Sequence, residues 1–333
     1  MAPFYDARGN IYAVISPQAL RALGVDLPDA AAQAALTRQN WSAHAVSAVC
    51  DWPEGQRPAG SKSHRSDGLL VGPFQDAAPF DVLIVNTDGT LAERSGNGLT
   101  IFAQSLTDTG RALDGEGFTL RVHHDNHDSE SPVPTQVVPA EIDGTPGFWL
   151  DIGTPGFGPD AVGAKGPGVR GALLEEVRVS RVERLAELHP DWHASVFVRV
   201  GNPHCVTLVP AIDALPGFEQ LHQAPLNPAL TRIAFAAGEL GKGDPCPAGV
   251  NLQWAAKAGE HRIMARVFER GEGPTASSGT SASAVASAAW LAGWVNAGMV
   301  EVVMPGGTAP VRLIEQERAL QQVQLFGAAH LQR

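Results

Sequence analysis

Cysteine is scarce in this chain: Cys50, Cys205 and Cys246 are the three among 333 residues. Their spacing fits no metal-ligand pattern, and three thiols are too few to staple a disulfide scaffold. Charge is scarce too. Asp, Glu, Lys and Arg make up 18 % of the chain, against about 25 % in ordinary soluble proteins. The balance is acidic, with a net charge of −11. Nucleic-acid binding needs concentrated Lys and Arg to neutralise phosphates, and no basic stripe interleaved with aromatics occurs, so no nucleic-acid partner is expected. The acidity is read as serving solubility. The opening Met1 to Val14 lacks the basic segment and apolar core of a signal peptide. One stretch, Ser281 to Met304, approaches the hydropathy of a membrane span. Asn296 and Glu301 interrupt it, and Gly298 with Val300, Val302 and Val303 reads as helix, turn and strand. An Ala-rich helix that is apolar all round belongs at the centre of a core. No membrane association is expected, and a cytoplasmic location is. The Gly-rich stretches lack the strand–GxGxxG–helix order of a dinucleotide site; with no flavin signature or metal cluster either, no cofactor is expected.

Glycine and proline, by contrast, are abundant at 36 and 25 residues, which implies tight turns and short elements. The length favours two domains, and 44 % hydrophobic residues suffice for two cores. Strand-like runs are Ile11–Ile15, Gly68–Val71, Asp81–Val85, Phe118–Val122, Trp149–Ile152, Val177–Val182, Val196–Val200 and Val206–Val209. Helices are expected at Pro28–Thr37, after Gly98, at Arg184–Leu188 and after Ser281. The result is an α+β pattern with one buried helix per half. Gly153–Gly171 reads as a loop, and so does the polar stretch His123–Pro134. Its His123, His124 and His127 could be read as metal ligands, but no carboxylate or thiol spacing accompanies them, and an exposed loop is preferred.

The halves repeat one another. Val82–Val85 leads through Asn86-Thr87-Asp88-Gly89 to Ser95-Gly96-Asn97-Gly98 and the apolar run Leu99–Ala103. Met264–Phe268 leads through Glu269-Arg270-Gly271-Glu272-Gly273 to Ser278-Gly279-Thr280-Ser281 and an Ala-rich run. A Gly-Asn pair lies upstream of each, Gly9-Asn10 and Gly201-Asn202, with Asn-to-Ser distances of 85 and 76 residues. One ancestral unit used twice is implied. Each Ser-Gly pair falls at a helix start, where free N–H groups and the helix dipole attract an anion and glycine permits close approach. Simple capping by serine is the alternative; the duplicated context favours the anion site.

These residues resemble the diaminopimelate epimerase family. The motif N-x-D-G-S-x-x-x-x-C-G-N-G is similar to Asn86–Gly98, and E-R-G-x-G-E-T-x-x-C-G-[ST]-G to Glu269–Ser281. G-N-P-H-C stands complete as Gly201-Asn202-Pro203-His204-Cys205, and the closing Val323-Gln324-Leu325-Phe326-Gly327-Ala328 also fits. The resemblance implies two pseudo-symmetric domains, residues 1–114 with 318–333 and residues 115–317. Each would be a curled, mainly antiparallel sheet around a central helix, with the active site in the cleft between them. It further implies a homodimer, a place in lysine biosynthesis, and cofactor-independent epimerisation of an amino acid such as diaminopimelate. Ser95 and Ser278 would be the catalytic pair, with His204 and Glu269 beside them and His204 the candidate activator; a purely structural His204 is the alternative. Asn86, Asn202, Asn251 and Arg270 would hold the distal end of the substrate and Asn10 would join the binding set. Backbone groups at Gly96, Asn97, Gly279 and Thr280 would take the reacting carboxylate.

The departures matter as much. Both family cysteines are serine here. A thiol ionises near 8.5 and an alcohol about as reluctantly as water, near 15.7, so forming the anionic base is harder by about 10 kcal/mol. Gly68 replaces a family Gln, Pro274 a Glu and Ser281 a Gly. These accompanying changes favour divergence over an engineered Cys-to-Ser pair. An epimerase or racemase acting on an amino acid or small carboxylate is the first reading. A lyase or double-bond isomerase, and a binding protein that has lost catalysis, are the alternatives.

Overall fold

The structure, a computed structural model, describes residues 2–112, 115–127 and 130–332. The chain divides into two compact units, 1–151 with 327–333, and 152–326. These differ from the expected spans because Phe118–Val122 pairs in parallel with Phe80–Asn86, and Val133–Ile142 and Thr145–Gly153 extend that same sheet. At the other end, Ala319–Gly327 pairs with Gly307–Gln316 inside the second unit. Residue 114, the expected boundary, lies outside the described residues.

Each unit follows one pairing scheme. In the first, the hairpin Phe4–Ala7 and Asn10–Ile15 is antiparallel, Asn10–Ile15 runs parallel to Gly68–Val71, and Gly68–Val71 runs antiparallel to Phe80–Asn86. A parallel step to Phe118–Val122 and two antiparallel steps complete it. In the second, the hairpin Ser195–Val200 and Asn202–Leu208 is followed by Asn251–Lys257 in parallel and Arg262–Glu269 antiparallel. Gly298–Met304 is then parallel, and Gly307–Gln316 and Ala319–Gly327 are antiparallel. The order and senses are identical, so the motif repeat is a repeat of folding units. Gly9 and Gly201 turn the two equivalent hairpins with φ of +80° and +70°, a region L-residues rarely enter.

In both units a 13-residue helix connects the equivalent fourth and fifth strands of this scheme: Gly96–Asp108 and Gly279–Leu291. Each is nearly all buried. Strands of the first unit are covered on both faces. Leu69, Val71, Leu83 and Val85 pack on Trp41, Ala45, Val46 and Val49, while Leu70 lies against Gly98 on the opposite side. That double burial explains the continuous apolar runs of Gly68–Val71 and Phe80–Asn86. The second central helix keeps its buried serines satisfied by turning them back on itself: Ser283 Oγ donates to Gly279 O at 3.0 Å and Ser287 Oγ to Ser283 O at 2.8 Å. No helix among the described residues is long and apolar enough to cross a membrane.

Two loop expectations need correction. Gly153–Gly171 contains the short strand Gly156–Phe157, the turn of helix Pro159–Val162 and the start of Val169–Leu174. In His123–Pro134, of which residues 128 and 129 lie outside the described residues, His123 and His124 are buried rather than exposed. His123 Nε2 lies 3.1 Å from Asp81 Oδ1, and His124 Nε2 lies 3.0 Å from Glu130 O. His123 is thus held by a distant carboxylate and His124 by the backbone of its own segment. Among the described residues no group of three His, Cys, Asp or Glu is arranged to hold a metal ion.

Candidate active site

Ser95 and Ser278 are built alike. Each is the extended residue just before its central helix, with φ/ψ of −141°/117° and −151°/124°. Ser95 Oγ accepts the Gly98 N–H at 3.0 Å, and Ser278 Oγ accepts the Ser281 N–H at 3.4 Å. Capping therefore uses the third N–H of each helix. The N–H groups of Gly96 and Asn97, and of Gly279 and Thr280, have no partner within their helices and carry the positive end of the dipole. Capping and anion binding are thus compatible, because they use different donors.

Around Ser278 the expected residues gather. Its hydroxyl donates to Glu269 Oε1 at 2.7 Å. Glu269 ends the strand Arg262–Glu269 and is only partly exposed. Burial pushes its carboxyl up to about 7, with the nearby Glu272 adding to the rise and the Ser278 hydroxyl opposing it. Asn202 Nδ2 donates to Thr280 Oγ1 at 3.4 Å. Asn251 Oδ1 accepts the backbone N–H of Arg270 at 2.8 Å, and Arg270 Nη1 reaches Ala248 O at 3.2 Å.

Among the described residues His204 makes no hydrogen bond to Ser278; its imidazole is engaged through Nδ1, and its Nε2 is buried with no hydrogen-bond partner. His204 pairs in register with Asn251 and is fully buried, with Gln253 Nε2 3.0 Å from its Nδ1. The same Gln253 nitrogen donates to Ser281 Oγ at 3.0 Å. Burial, reinforced by the charge of Arg270, pushes the imidazole down to about 3. A neutral His204 fixes Gln253 and Ser281, while the group bonded to Ser278 is Glu269. Ser281, one of the departures from the family pattern, closes that chain.

Around Ser95 the chemistry differs. Asn86 sits at the strand end that Glu269 occupies in the other unit, and its Nδ2 donates to Thr90 Oγ1 at 2.9 Å. Asn10 Nδ2 donates to Asp67 Oδ2 at 3.1 Å, and the Ile11 N–H reaches the same oxygen at 2.9 Å. Asn10 and Asn86 thus have their amides engaged in hydrogen bonds within the first unit. The residue that reaches Ser95 is Tyr12, whose hydroxyl is 3.5 Å from Ser95 Oγ. Sequence reasoning missed it, although the repeat held the signal: Gly9-Asn10-x-Tyr12 matches Gly201-Asn202-x-His204.

Gly68 explains how Tyr12 fits. A Cβ at 68 would lie 2.5 Å from Tyr12 Cε1 and 2.8 Å from the Val85 carbonyl oxygen. The ring takes the space that any side chain at 68 would need. Gly68→Ala is expected to destabilise the protein by about 1–3 kcal/mol, measured by urea unfolding; an unchanged midpoint and slope would contradict this packing.

Comparison with known proteins bears on these observations. Residues 196–330 match a model of the family described as Diaminopimelate epimerase. Diaminopimelate epimerase 2 of a Nostoc species is 30 % identical over 251 residues, covering 74 % of each chain. The diaminopimelate epimerase of Heliobacterium modesticaldum is 25 % identical over 284 residues, covering 84 % of this chain and 85 % of the relative. Among solved structures, a Bacillus anthracis phenazine biosynthesis protein of the PhzF family superposes with a TM-score of 0.57 at 14 % identity, over 100 % of this chain and 96 % of that one. A hydroxyproline epimerase from Agrobacterium vitis gives 0.56 at 13 %, over 100 % and 90 %. These two share the fold.

Proposed function

The chain belongs to the diaminopimelate epimerase family, and from that premise we propose that it is an isomerase moving a proton at the α-carbon of an amino acid or related small carboxylate, without a cofactor. Diaminopimelate is the first substrate to test. By the family resemblance, the open N–H groups of Gly96, Asn97, Gly279 and Thr280 would take its reacting carboxylate. As the α-proton leaves, charge moves onto that carboxylate, so donors already aimed there stabilise the transition state more than the ground state. Arg270 suits a distal carboxylate through its planar fork, with Asn251 held to its backbone N–H; Asn86 and Asn202 are proposed for the same end of the substrate.

The single observation that carries the proposal is the 2.7 Å hydrogen bond from Ser278 to Glu269. A lone serine cannot supply the base. With Glu269 behind it, the α-proton passes to Ser278 Oγ while the serine's own proton passes to Glu269 Oε1, so no free alkoxide forms. Base strength is then set by a carboxyl held near 7. Against a thiol near 8.5, that base is weaker by only about 2 kcal/mol, and it is ionised near neutral pH.

The test is incorporation of solvent deuterium at the α-carbon, followed by NMR with diaminopimelate and a panel of small amino acids. Exchange accompanied by inversion supports the proposal; absence of exchange with every compound sinks it. One observation favours a second reading, a one-sided lyase or double-bond isomerase: the carboxylate partner is bonded to Ser278, while Ser95 has a phenol. An unsaturated product in place of an epimer would select that reading.

A further inference from the structure

We infer that Tyr12 is the positioning residue of Ser95 and the source of the proton that this serine delivers, an inference that rests on the proton-transfer function proposed above. The first half-site needs an acid, because a carbanion made on one face must be protonated on the other for inversion to occur. Asn86 holds the strand-end position of Glu269 and cannot ionise, and its amide is engaged with Thr90. The ionisable side chain hydrogen-bonded to Ser95 is Tyr12, at 3.5 Å.

Three features hold it there. Tyr12 is buried and stands in parallel register with Gly68. A side chain at 68 would meet both the Tyr12 ring and the Val85 carbonyl oxygen, and the latter belongs to the backbone and cannot yield, so the space stays open to the ring. Ser95 is fixed in turn, because one lone pair takes the Gly98 N–H and a Cβ at 98 would press on its Oγ at 3.2 Å. Gly98 and Gly68 therefore leave room for the serine and for the phenol that faces it. At the equivalent strand position of the second unit, His204 is bonded to Gln253 instead. The two copies have diverged so that one serine is backed by a carboxylate and the other by a phenol.

The step balances. Ser95 gives its hydroxyl proton to the α-carbon, whose electron pair forms the new C–H bond. Tyr12 gives its proton to Ser95 Oγ, and the negative charge ends on the phenolate oxygen. Water then reprotonates the phenolate. A phenol near 10 releases a proton far more readily than an alcohol, about as weak an acid as water near 15.7, so the serine alone would be the poorer acid by more than five units.

A thiol placed at position 95 reports this contact without any substrate. In Ser95→Cys, the Tyr12 hydroxyl donates to the thiolate and favours it. Adding Tyr12→Phe keeps the ring over Gly68 and removes the donor. The introduced thiol is then expected to ionise about one unit higher, and its alkylation by iodoacetamide at pH 7 to slow about tenfold. Adding Tyr5→Phe instead, whose hydroxyl bonds Asp108 at 3.0 Å, should leave the titration unmoved. Indistinguishable thiol titrations with and without the Tyr12 hydroxyl would overturn the inference, as would an equal shift from Tyr5→Phe. Circular dichroism confirms that each variant is folded. With diaminopimelate as probe, Tyr12→Phe should keep α-deuterium exchange and lose inversion at least tenfold; retained inversion would also overturn it. If the native chain exchanges no α-proton at all, the proposed function falls while the thiol titration still decides whether Tyr12 acts on Ser95.

Discussion

Replacing Glu269 with Gln is expected to slow proton transfer by up to about 10⁴-fold and, above neutral pH, to make the fold more stable. The activity loss follows from the relay. Ser278 can accept the α-proton only if its own proton has somewhere to go, and a glutamine oxygen is too weak a base to take it. Removing a general base costs about 10²–10⁴-fold, and a hydroxyl without its base belongs at the upper end. Steady-state rates with any substrate that exchanges in the native protein measure this.

The stability change has the opposite sign, and linkage fixes it. In the folded chain the Glu269 carboxyl is raised from 4.5 to about 7, chiefly by burial. Between those values the folded state keeps a proton that the unfolded state has lost. The stabilising effect of that proton is complete below about 4.5, declines as pH rises through the window, and is gone above about 7. A shift of this size corresponds to at most about 3 kcal/mol, less in practice because the side chain keeps some contact with water. Gln carries no charge to bury, so Glu269→Gln should unfold at higher denaturant than the native chain at pH 8 and show little advantage at pH 4. A residue that costs stability and supports catalysis is the usual trade at active sites.

Alanine at each serine should separate exchange from inversion. Both substitutions remove a helix cap, costing about 1 kcal/mol of stability, and both should reduce inversion at least about 10³-fold. Ser278→Ala also disconnects Glu269, so deuterium should stop entering at the α-carbon. Ser95→Ala leaves the Ser278–Glu269 pair intact, so exchange without inversion should persist. NMR of the α-position in deuterated buffer reads both quantities from one sample. Equal exchange in the two variants would contradict the division of labour between carboxylate and phenol.

Much of the fold was legible because the repeat was legible. Gly68–Val71, Phe118–Val122 and Val177–Val182 have the expected bounds, being β-branched or apolar runs fenced by turn residues. Ser95 and Ser278 were legible as helix starts because Ser-Gly before an apolar run is a local signal. Asn251–Lys257 was not: buried up to its terminal Lys257 and composed of Asn, Leu, Gln, Trp, two Ala and that Lys, it lacks alternation and any β-branched residue. Ser42–Cys50 was missed because its N-cap is Trp41, which makes no capping bond. The deeper misses are contacts between distant residues. Ser278 bonds Glu269 while His204 bonds Gln253, 49 residues away, and the space for Tyr12 depends on a glycine 56 residues further along. Neither pairing leaves a trace in local composition.

The ionisation of Glu269 can be followed directly by infrared difference spectroscopy, which resolves the C=O stretch of a protonated buried carboxyl. One band titrating near pH 7, absent in Glu269→Gln and moved to higher pH in Ser278→Ala, is the expected result. A Glu269 that loses its proton in the ordinary range near 4.5, or that is indifferent to the Ser278 hydroxyl, would remove the base from the proposed reaction.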